Sequence, residues 1–384
     1  VTKAIVFFER SRERMLPLAF TRPLSHIRIG IHTIQEKWER HGFHCSNHTA
    51  DYLREKFPLN ISEDQFFVDA SMIPSPEFFQ EVSELKVNEA LSSGAGDVLA
   101  YRAGTLSTKE GLHLKEVQSD YLYIKHAWDI FLNNGQALEW DFKLLGESPQ
   151  VVSESNTLIG SRIYIEEGAK VTASILNAET GPIYIGKDAE VMEGSIIRGP
   201  FALGESSEVK MGAKIYGPTT IGPHSKIGGE VSNSIFFGYS NKGHDGFVGN
   251  SVIGEWCNFG ADSNVSNLKN NYSDVRLWSY DVEDYIESGQ QFCGLIMGDH
   301  SKTSINSMLN TGTVIGVCSN IFGSGFPNKF VPSFSWGMEG QEYKLDKAIE
   351  TASRVMARRS IELTEVDQAI MSWIFHHDQP YRQA

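Results

Sequence analysis

The stretch Lys242-Gly243-His244-Asp245-Gly246-Phe247 sets one imidazole among small and polar residues. A histidine side chain, with an ordinary pKa of about 6.5, is largely neutral near pH 7 and can accept a proton from an attacking group. Asn258 and Asn267 follow at intervals of 14 and 9 residues. An asparagine amide can donate to an oxygen on which negative charge develops in a tetrahedral intermediate. A base with amide donors suits acyl transfer. Residues this far apart meet only across neighbouring turns of a regular structure or across neighbouring subunits. A second cluster offers other chemistry. Arg12, Arg14, Arg22 and Arg28 can clasp phosphate oxygens with paired N–H groups. Asp69 and Asp97 stand at the ends of predicted strands, where a carboxylate can hold Mg²⁺.

What positions His244 is regular on both sides of it. Ile159, Ile165 and Val171 are six residues apart, and from Ile185 the series Val191, Ile197, Leu203, Val209, Ile215, Ile221, Ile227 keeps the same interval. It resumes as Phe247, Ile253, Phe259, Val265 and again as Met297, Thr303, Leu309, Ile315, Ile321. A period of six is neither the 3.6 of a helix nor the 2 of an isolated strand. It fits hexapeptide repeats, each a short strand and a corner, with three to a triangular coil. One coil cannot bury its apolar edge alone, so stacking supplies the core. The prediction is a left-handed parallel β-helix over residues 150–325. An arm at 273–291, containing SYDVEDYIESGQQ, interrupts the sixes.

The flanks differ. TKAIVFF reads as a strand, and IHTIQEKWERHG as a helix with Ile31, Ile34 and Trp38 on one face and Gly42 ending it. QFFVDASMIPSPEFFQEVSEL reads as strand, turn and helix, and GDVLAYRAG as another strand. This alternation predicts an α/β domain over residues 1–145, with NNGQALEWDFKLLGESP as the linker into the coil. Residues 326–384 read as an extended segment followed by helices. KLDKAIETASRVMARRSIEL buries Ala348, Ala352, Val355 and Met356, and Thr364 with Asp367 caps the next helix.

Net charge is −14, with no basic stripe, which argues against a nucleic-acid partner but leaves room for a small phosphorylated ligand. Four cysteines without a CxxC pair give no disulfide framework and predict a reducing, cytoplasmic setting. The opening VTKAIVFFERSRERM lacks the long apolar run of a secretion signal, and no apolar run is long enough to span a membrane.

On these residues the chain resembles the bifunctional sugar-1-phosphate nucleotidyltransferase and amino-sugar acetyltransferase family. There a Rossmann-like nucleotidyltransferase domain precedes a hexapeptide β-helix. The family pattern of lysine, small residue, Gly-His, aromatic and Gly-Asp is echoed by Lys242-Gly243-His244, Phe247 and Gly249-Asn250. FCGLIMGDHSKTSIN resembles the segment that follows the family's arm, and its His300 is a further candidate contact. The resemblance implies His244 as catalytic base and Asn267 beside the reacting amine and thioester. It implies Glu230, Asn258, Phe247 and Lys242 as substrate contacts, acetyl-CoA as co-substrate, and a homotrimer with sites between subunits. Two positions depart from the pattern: Phe247 replaces a phosphate-binding tyrosine, and Ser232 replaces a lysine.

In the first domain, Arg14-Met15-Leu16-Pro17-Leu18 with Thr21 and Pro23 resembles the family's nucleotide loop. Its glycines are missing, and Leu24 stands where the family has lysine. The resemblance implies nucleotide contacts at Arg12, Arg14 and Arg22, with Asp69 toward Mg²⁺ and a nucleoside triphosphate. Three functions follow as expectations. The first is CoA-dependent acetyl transfer to an amino-sugar phosphate in the β-helix. The second is Mg²⁺-dependent uridylyl or thymidylyl transfer in the first domain. The third is a non-catalytic trimeric scaffold that binds a sugar nucleotide.

Overall fold

The computed structural model describes residues 3–104 and 111–383; Thr2 of the predicted strand TKAIVFF lies outside them. The first domain is a six-stranded sheet in the order 43–48, 3–8, 65–69, 98–103, 89–92, 113–116. The strand at 3–8 runs parallel to both its neighbours, and the strand at 98–103 runs antiparallel to both of its own. Lys3–Phe8 is central because its apolar run serves two cores. Ile5 and Phe7 join one cluster, and Val6 joins another on the opposite side.

Helix α1 covers Ile34–Arg40 and starts later than IHTIQEKWERHG suggests. Thr33 and Glu36 form a reciprocal cap, with Glu36 N donating to Thr33 Oγ1 at 3.1 Å and Thr33 N to Glu36 Oε2 at 2.7 Å. Helix α2 is Pro76–Ser83. The segment expected to be a linker is instead most of helix α3, Asp129–Lys143. The reason is tertiary. Ile130, Phe131, Asn134, Ala137, Leu138 and Asp141 recur at helical spacing and are all buried. Gly135 lies at the closest approach, where a Cβ would stand 3.0 Å from Pro218. The buried polar groups of α3 fasten the turn before α1: Asn134 Oδ1 accepts from Gly30 N at 2.8 Å and Asp141 Oδ2 from Ile31 N at 2.7 Å.

The sixes do form a parallel β-helix with three faces. The first face runs from Thr157–Ile159 to Phe247–Gly249 in six strands, and the second from Ile163–Ile165 to Phe330–Val331 in nine. The third runs from Lys170–Val171 to Asn241–Lys242. Asn258 carries it on to Lys302–Thr303 by single bridges. Ile185, Val191, Ile197, Leu203, Val209, Ile221 and Ile227 are wholly or almost wholly buried in one stack. Two positions of the count slip by one residue. Leu158 and Val248, not Ile159 and Phe247, align with the inward residues Leu176 and Val231. The slip at Phe247 arises because the coils shorten there, Ile227 pairing with Lys242 and Val231 with Val248. The interrupting arm is a hairpin of Arg276–Ser279 and Asp284–Glu287. PNKFVPSFSWG is not merely extended: Phe330–Val331 and Ser335–Trp336 complete the last coil.

The second face is covered on both sides. Its outward residues Ile235, Phe237, Val252, Ile296 and Val314 belong to the core of the first domain. On the first face, by contrast, strands such as Ile196–Arg198 bury only their central residue. Helices α4 (Leu345–Ala357) and α5 (Glu365–His377) fold back over a corner of the coil. The predicted cap of α5 is present, with Asp367 N donating to Thr364 Oγ1 at 3.2 Å.

Adjacent Ile196 and Ile197 test this arrangement, since Ile196 is 49% exposed and Ile197 fully buried. Ile197→Asp places an unpaired charge in the stack and should cost at least several kcal/mol, enough to lower the urea midpoint severely or prevent folding. Ile196→Asp sets its charge outside the coil and should cost the fold of the single chain much less. Equal effects at the two positions would contradict the stack.

Candidate active site

His244 is solvent-exposed at the corner between the third and first faces. Its loop is shaped by Lys242, which occupies an inward position beside Ile227 and is 1% exposed. The ammonium donates to the carbonyl oxygens of His244 and, at 3.1 Å, Asp245. Burial lowers the Lys242 pKa to about 8, against the opposing pull of Asp245 and Asp262. Lys242 therefore holds the loop from inside, and its charge is not directed at a ligand.

His244 and Asn258 line one cleft of about 580 Å³ with Lys210, Lys226, Arg358 and Arg359. Lys210 and Lys226 share a single carboxylate, Glu208, with Lys226 at 2.8 Å. Arg359 donates to His224 O at 3.1 Å, and exposed Arg358 forms the end of α4. The cleft thus offers an exposed imidazole, an exposed amide and an excess of positive charge, which suits a phosphorylated ligand. The basic residues were not found from the sequence. Lys210 and Lys226 look like ordinary solvated strand residues, and Arg358-Arg359 lie more than a hundred residues away in the chain.

The other residues named for the β-helix lie elsewhere. Glu230 and Phe247 are register neighbours on the first face. Asn267 donates through Nδ2 to Asn250 Oδ1 at 2.8 Å and approaches Gly249, as does the Phe247 ring. None of these three lines the His244 cleft. Within one chain the candidates fall into two groups on either side of a coil corner.

In the first domain, the three arginines read as nucleotide contacts are engaged by protein groups. Arg12 is buried and donates to Glu9 at 3.1 Å, Tyr52 Oη at 3.2 Å and Arg22 O at 3.1 Å. Arg14 pairs with Asp281 on the arm at 2.9 Å. Arg22 lies at the junction with the coil, paired with Glu255 at 2.9 Å and with Asp299. Burial opposes its charge, but the two carboxylates outweigh burial and raise its pKa.

Asp69 is fully buried and already saturated. Ser71 N donates to Oδ1 at 3.0 Å, Tyr123 Oη to Oδ2 at 2.8 Å, and Arg10 Nε lies 3.3 Å away. Arg10 also reaches Asp97 at 3.6 Å, so a guanidinium spans the two carboxylates that a divalent cation would bridge. Among the described residues, no group of three or more His, Cys, Asp or Glu is placed to hold a metal ion. These side chains do not fit Mg²⁺.

The chain has sequence relatives among known proteins. Residues 4–150 match the family described as sugar nucleotidyl transferase. A bifunctional sugar-1-phosphate nucleotidylyltransferase/acetyltransferase of Sulfurisphaera tokodaii is 36% identical over 154 residues, 39% of this chain and 38% of the relative. The bifunctional protein GlmU of Methanocaldococcus jannaschii is 32% identical over 87 residues, 23% of this chain and 21% of the relative. The chain therefore spans well under half the length of these curated relatives. Among solved structures, the polySia specific acetyltransferase NeuO matches 54% of this chain and 99% of its own at 14% identity, with a TM-score of 0.29. A hexapeptide transferase family protein from Anaplasma phagocytophilum matches 53% and 96% at 16% identity, with a TM-score of 0.27. The resemblance to bifunctional nucleotidyltransferase and acetyltransferase proteins stands.

The inward lysine makes a prediction about pH. Its folded pKa, about 8, lies below the ordinary lysine value. Between the two, the unfolded chain binds more protons than the folded one, so this group makes stability rise with pH from about 8 upward. Lys242→Met should flatten that rise in urea midpoints measured across the alkaline range, leaving the part owed to buried Lys37 and Lys302, whose pKa values burial also lowers. An identical alkaline profile in the variant would contradict the assignment.

Proposed function

We propose that the β-helix transfers an acetyl group from acetyl-CoA to the amine of an amino-sugar phosphate, with His244 as general base. The observation that carries this reading is the cleft where His244 and Asn258 face Lys210, Lys226, Arg358 and Arg359. The cations hold phosphate oxygens and fix the acceptor. His244 takes a proton as the amine nitrogen bonds to the thioester carbonyl carbon. The Asn258 amide donates to the carbonyl oxygen as it becomes negative. Collapse breaks the C–S bond, giving the N-acetyl product and a CoA thiolate, and the proton on His244 leaves with the thiol. Placing both substrates in one cleft removes most of the entropic part of the barrier.

Asn267, Glu230 and Phe247 enter this reading through a second copy of the chain, whose first face would bring them to a neighbour's cleft. The support is an exposed apolar set on that face, Ile175, Ile196 and Tyr216, between 36% and 49% exposed. A closed ring of three copies covers it. Light scattering should give about three times the 42.8 kDa of one chain. A strict monomer at micromolar concentration would leave the acceptor pocket without its second wall.

His244→Ala should lower CoA release with an amino-sugar phosphate by about a hundredfold or more while preserving acetyl-CoA binding and assembly. Unchanged turnover in His244→Ala would remove the base. Sugar-1-phosphate nucleotidyl transfer is the second reading, supported by the match over residues 4–150. Its sign would be pyrophosphate release from a nucleoside triphosphate, and the Arg10–Asp69 pairing argues against it. Four free cysteines, three of them buried, support a cytoplasmic setting. No helix among the described residues is long and apolar enough to cross a membrane.

A further inference from the structure

One corner of the coil repeats through Asp188, Ser206, His224, Tyr239, Trp256, His300, Cys318 and Phe334, all with φ between 53° and 61°. In each, the backbone N–H donates to a carbonyl of the preceding coil, as from His224 to Glu205 O at 2.8 Å and from His300 to Glu255 O at 2.8 Å. Left-handed backbone is tolerable for aspartate but strained for a bulky ring. Yet four successive corners carry rings. His224 stacks on Tyr239 at 4.9 Å, Tyr239 on Trp256 at 4.2 Å, and Trp256 lies parallel to His300 at 6.1 Å.

The lower part of this column, Tyr239, Trp256 and His300, is one wall of a second cavity of about 450 Å³. The first domain supplies another wall through Thr21, His26 and Gln35, and α4 and α5 close it with Met356 and Met371. Two histidines in it are kept neutral. Burial, with Lys302 adding to it, pushes His300 down to about 3, and burial with Arg22 pushes His26 down to about 4. His300 is 8% exposed, and its Nδ1 is buried with no hydrogen-bond partner in the protein. That nitrogen is closed to solvent, so a ligand in the cavity meets the His300 ring and not this atom.

Charge identifies the ligand class. Five carboxylates line the cavity against three cations, and each cation is already paired. Arg22 lies 2.9 Å from Glu255, Arg28 3.5 Å from Glu36, and Lys56 2.7 Å from Asp367. Glu39 has no ion pair among the described residues and accepts only from Gln35 Nε2, at 2.7 Å. A phosphate ester would meet excess negative charge with no free cation. A protonated amine would meet carboxylates, and hydroxyls would meet their remaining lone pairs and the His300 ring.

We propose that this junction binds a polyhydroxylated amine without phosphate, an unphosphorylated amino sugar being the simplest case, at a site separate from the His244 cleft. Tyr239 and Trp256 border both cavities. The column is therefore a shared wall between one site that selects against phosphate and one that selects for it.

Calorimetric titration of the full chain with glucosamine, glucose and glucosamine 6-phosphate tests the proposal independently of any acetyl transfer. Glucosamine should bind at millimolar concentration or better, and glucose about tenfold or more weakly for want of the charged amine. Glu39→Lys changes an exposed side chain and should weaken glucosamine by about tenfold or more. His300→Phe should weaken binding by putting a larger, apolar ring into the cavity wall. The corner accepts that ring, since Phe334 holds the same position two coils on with φ 59°. Arg358→Glu, in the other cleft, should weaken glucosamine 6-phosphate and leave glucosamine unchanged. Absence of glucosamine binding would overturn the proposal. So would equal affinity for glucose, binding indifferent to both Glu39→Lys and His300→Phe, or loss of glucosamine in Arg358→Glu.

Discussion

The nine-stranded second face is buried from both sides, and the rest of the molecule is arranged around that burial. Its inward residues, Ile185, Leu203, Ile221, Phe236, Ile253, Met297 and Ile315, close the core of the coil. Its outward residues, Ile235, Phe237, Val252, Ile296 and Val314, are part of the first domain's core. A parallel ladder pressed between two apolar layers is shielded from water and leaves little room for sliding. The first domain and the coil therefore share one core. Polar groups at the seam are matched individually: Thr220 Oγ1 donates to Gly30 O at 2.9 Å, and Arg28 Nε to Phe237 O at 2.9 Å.

This docking accounts for the fate of the loop that follows the first strand. Here Arg22 reaches Asp299 and Glu255 of the coil, and Thr21 Oγ1 donates to Asp299 Oδ2 at 2.6 Å. Asp299 in turn accepts Glu255 N through Oδ1 at 2.8 Å. A buried cation between two carboxylates is costly to separate, because removing any member leaves an unpaired charge. The loop has become a strut between domains. The same economy of charge holds at Arg10, whose guanidinium lies between Asp69 and Asp97. In this region the polar groups of the first domain are turned to protein partners.

The solenoid contributes a different property, a strictly repeated corner. Repetition places His224, Tyr239, Trp256 and His300 in one column although they are 15, 17 and 44 residues apart in the chain. The column divides a cavity with excess negative charge from a cleft with excess positive charge. Helix α4 supplies Met356 to the first and Val355 to the second, to which the residues just past its end, Arg358 and Arg359, also contribute. A single helix therefore seals two chemically opposite spaces.

The β-helix was legible in the sequence because its period is local: each sixth aliphatic residue must point inward wherever the chain lies in the stack. The capping of α5 by Thr364 and Asp367 was legible for the same reason, since both partners sit within four residues. Phe247 was misassigned to the inward set because coil length is decided by stacking on the coil beneath. Helix α3 was read as a linker because Asn134, Gly135 and Asp141 make sense only against Gly30, Ile31 and Pro218. His244 could be named from its glycine-flanked loop, and Asn258 from the motif it resembles. Their basic surroundings could not be named, because Lys210, Lys226, Arg358 and Arg359 converge only when α4 folds back over the coil. Local periodicity and short-range capping were thus settled by the sequence itself. Which charges meet which was decided by the tertiary structure, because Coulomb and hydrogen-bond partners are chosen by distance in space, and distance along the chain carries almost no information about it.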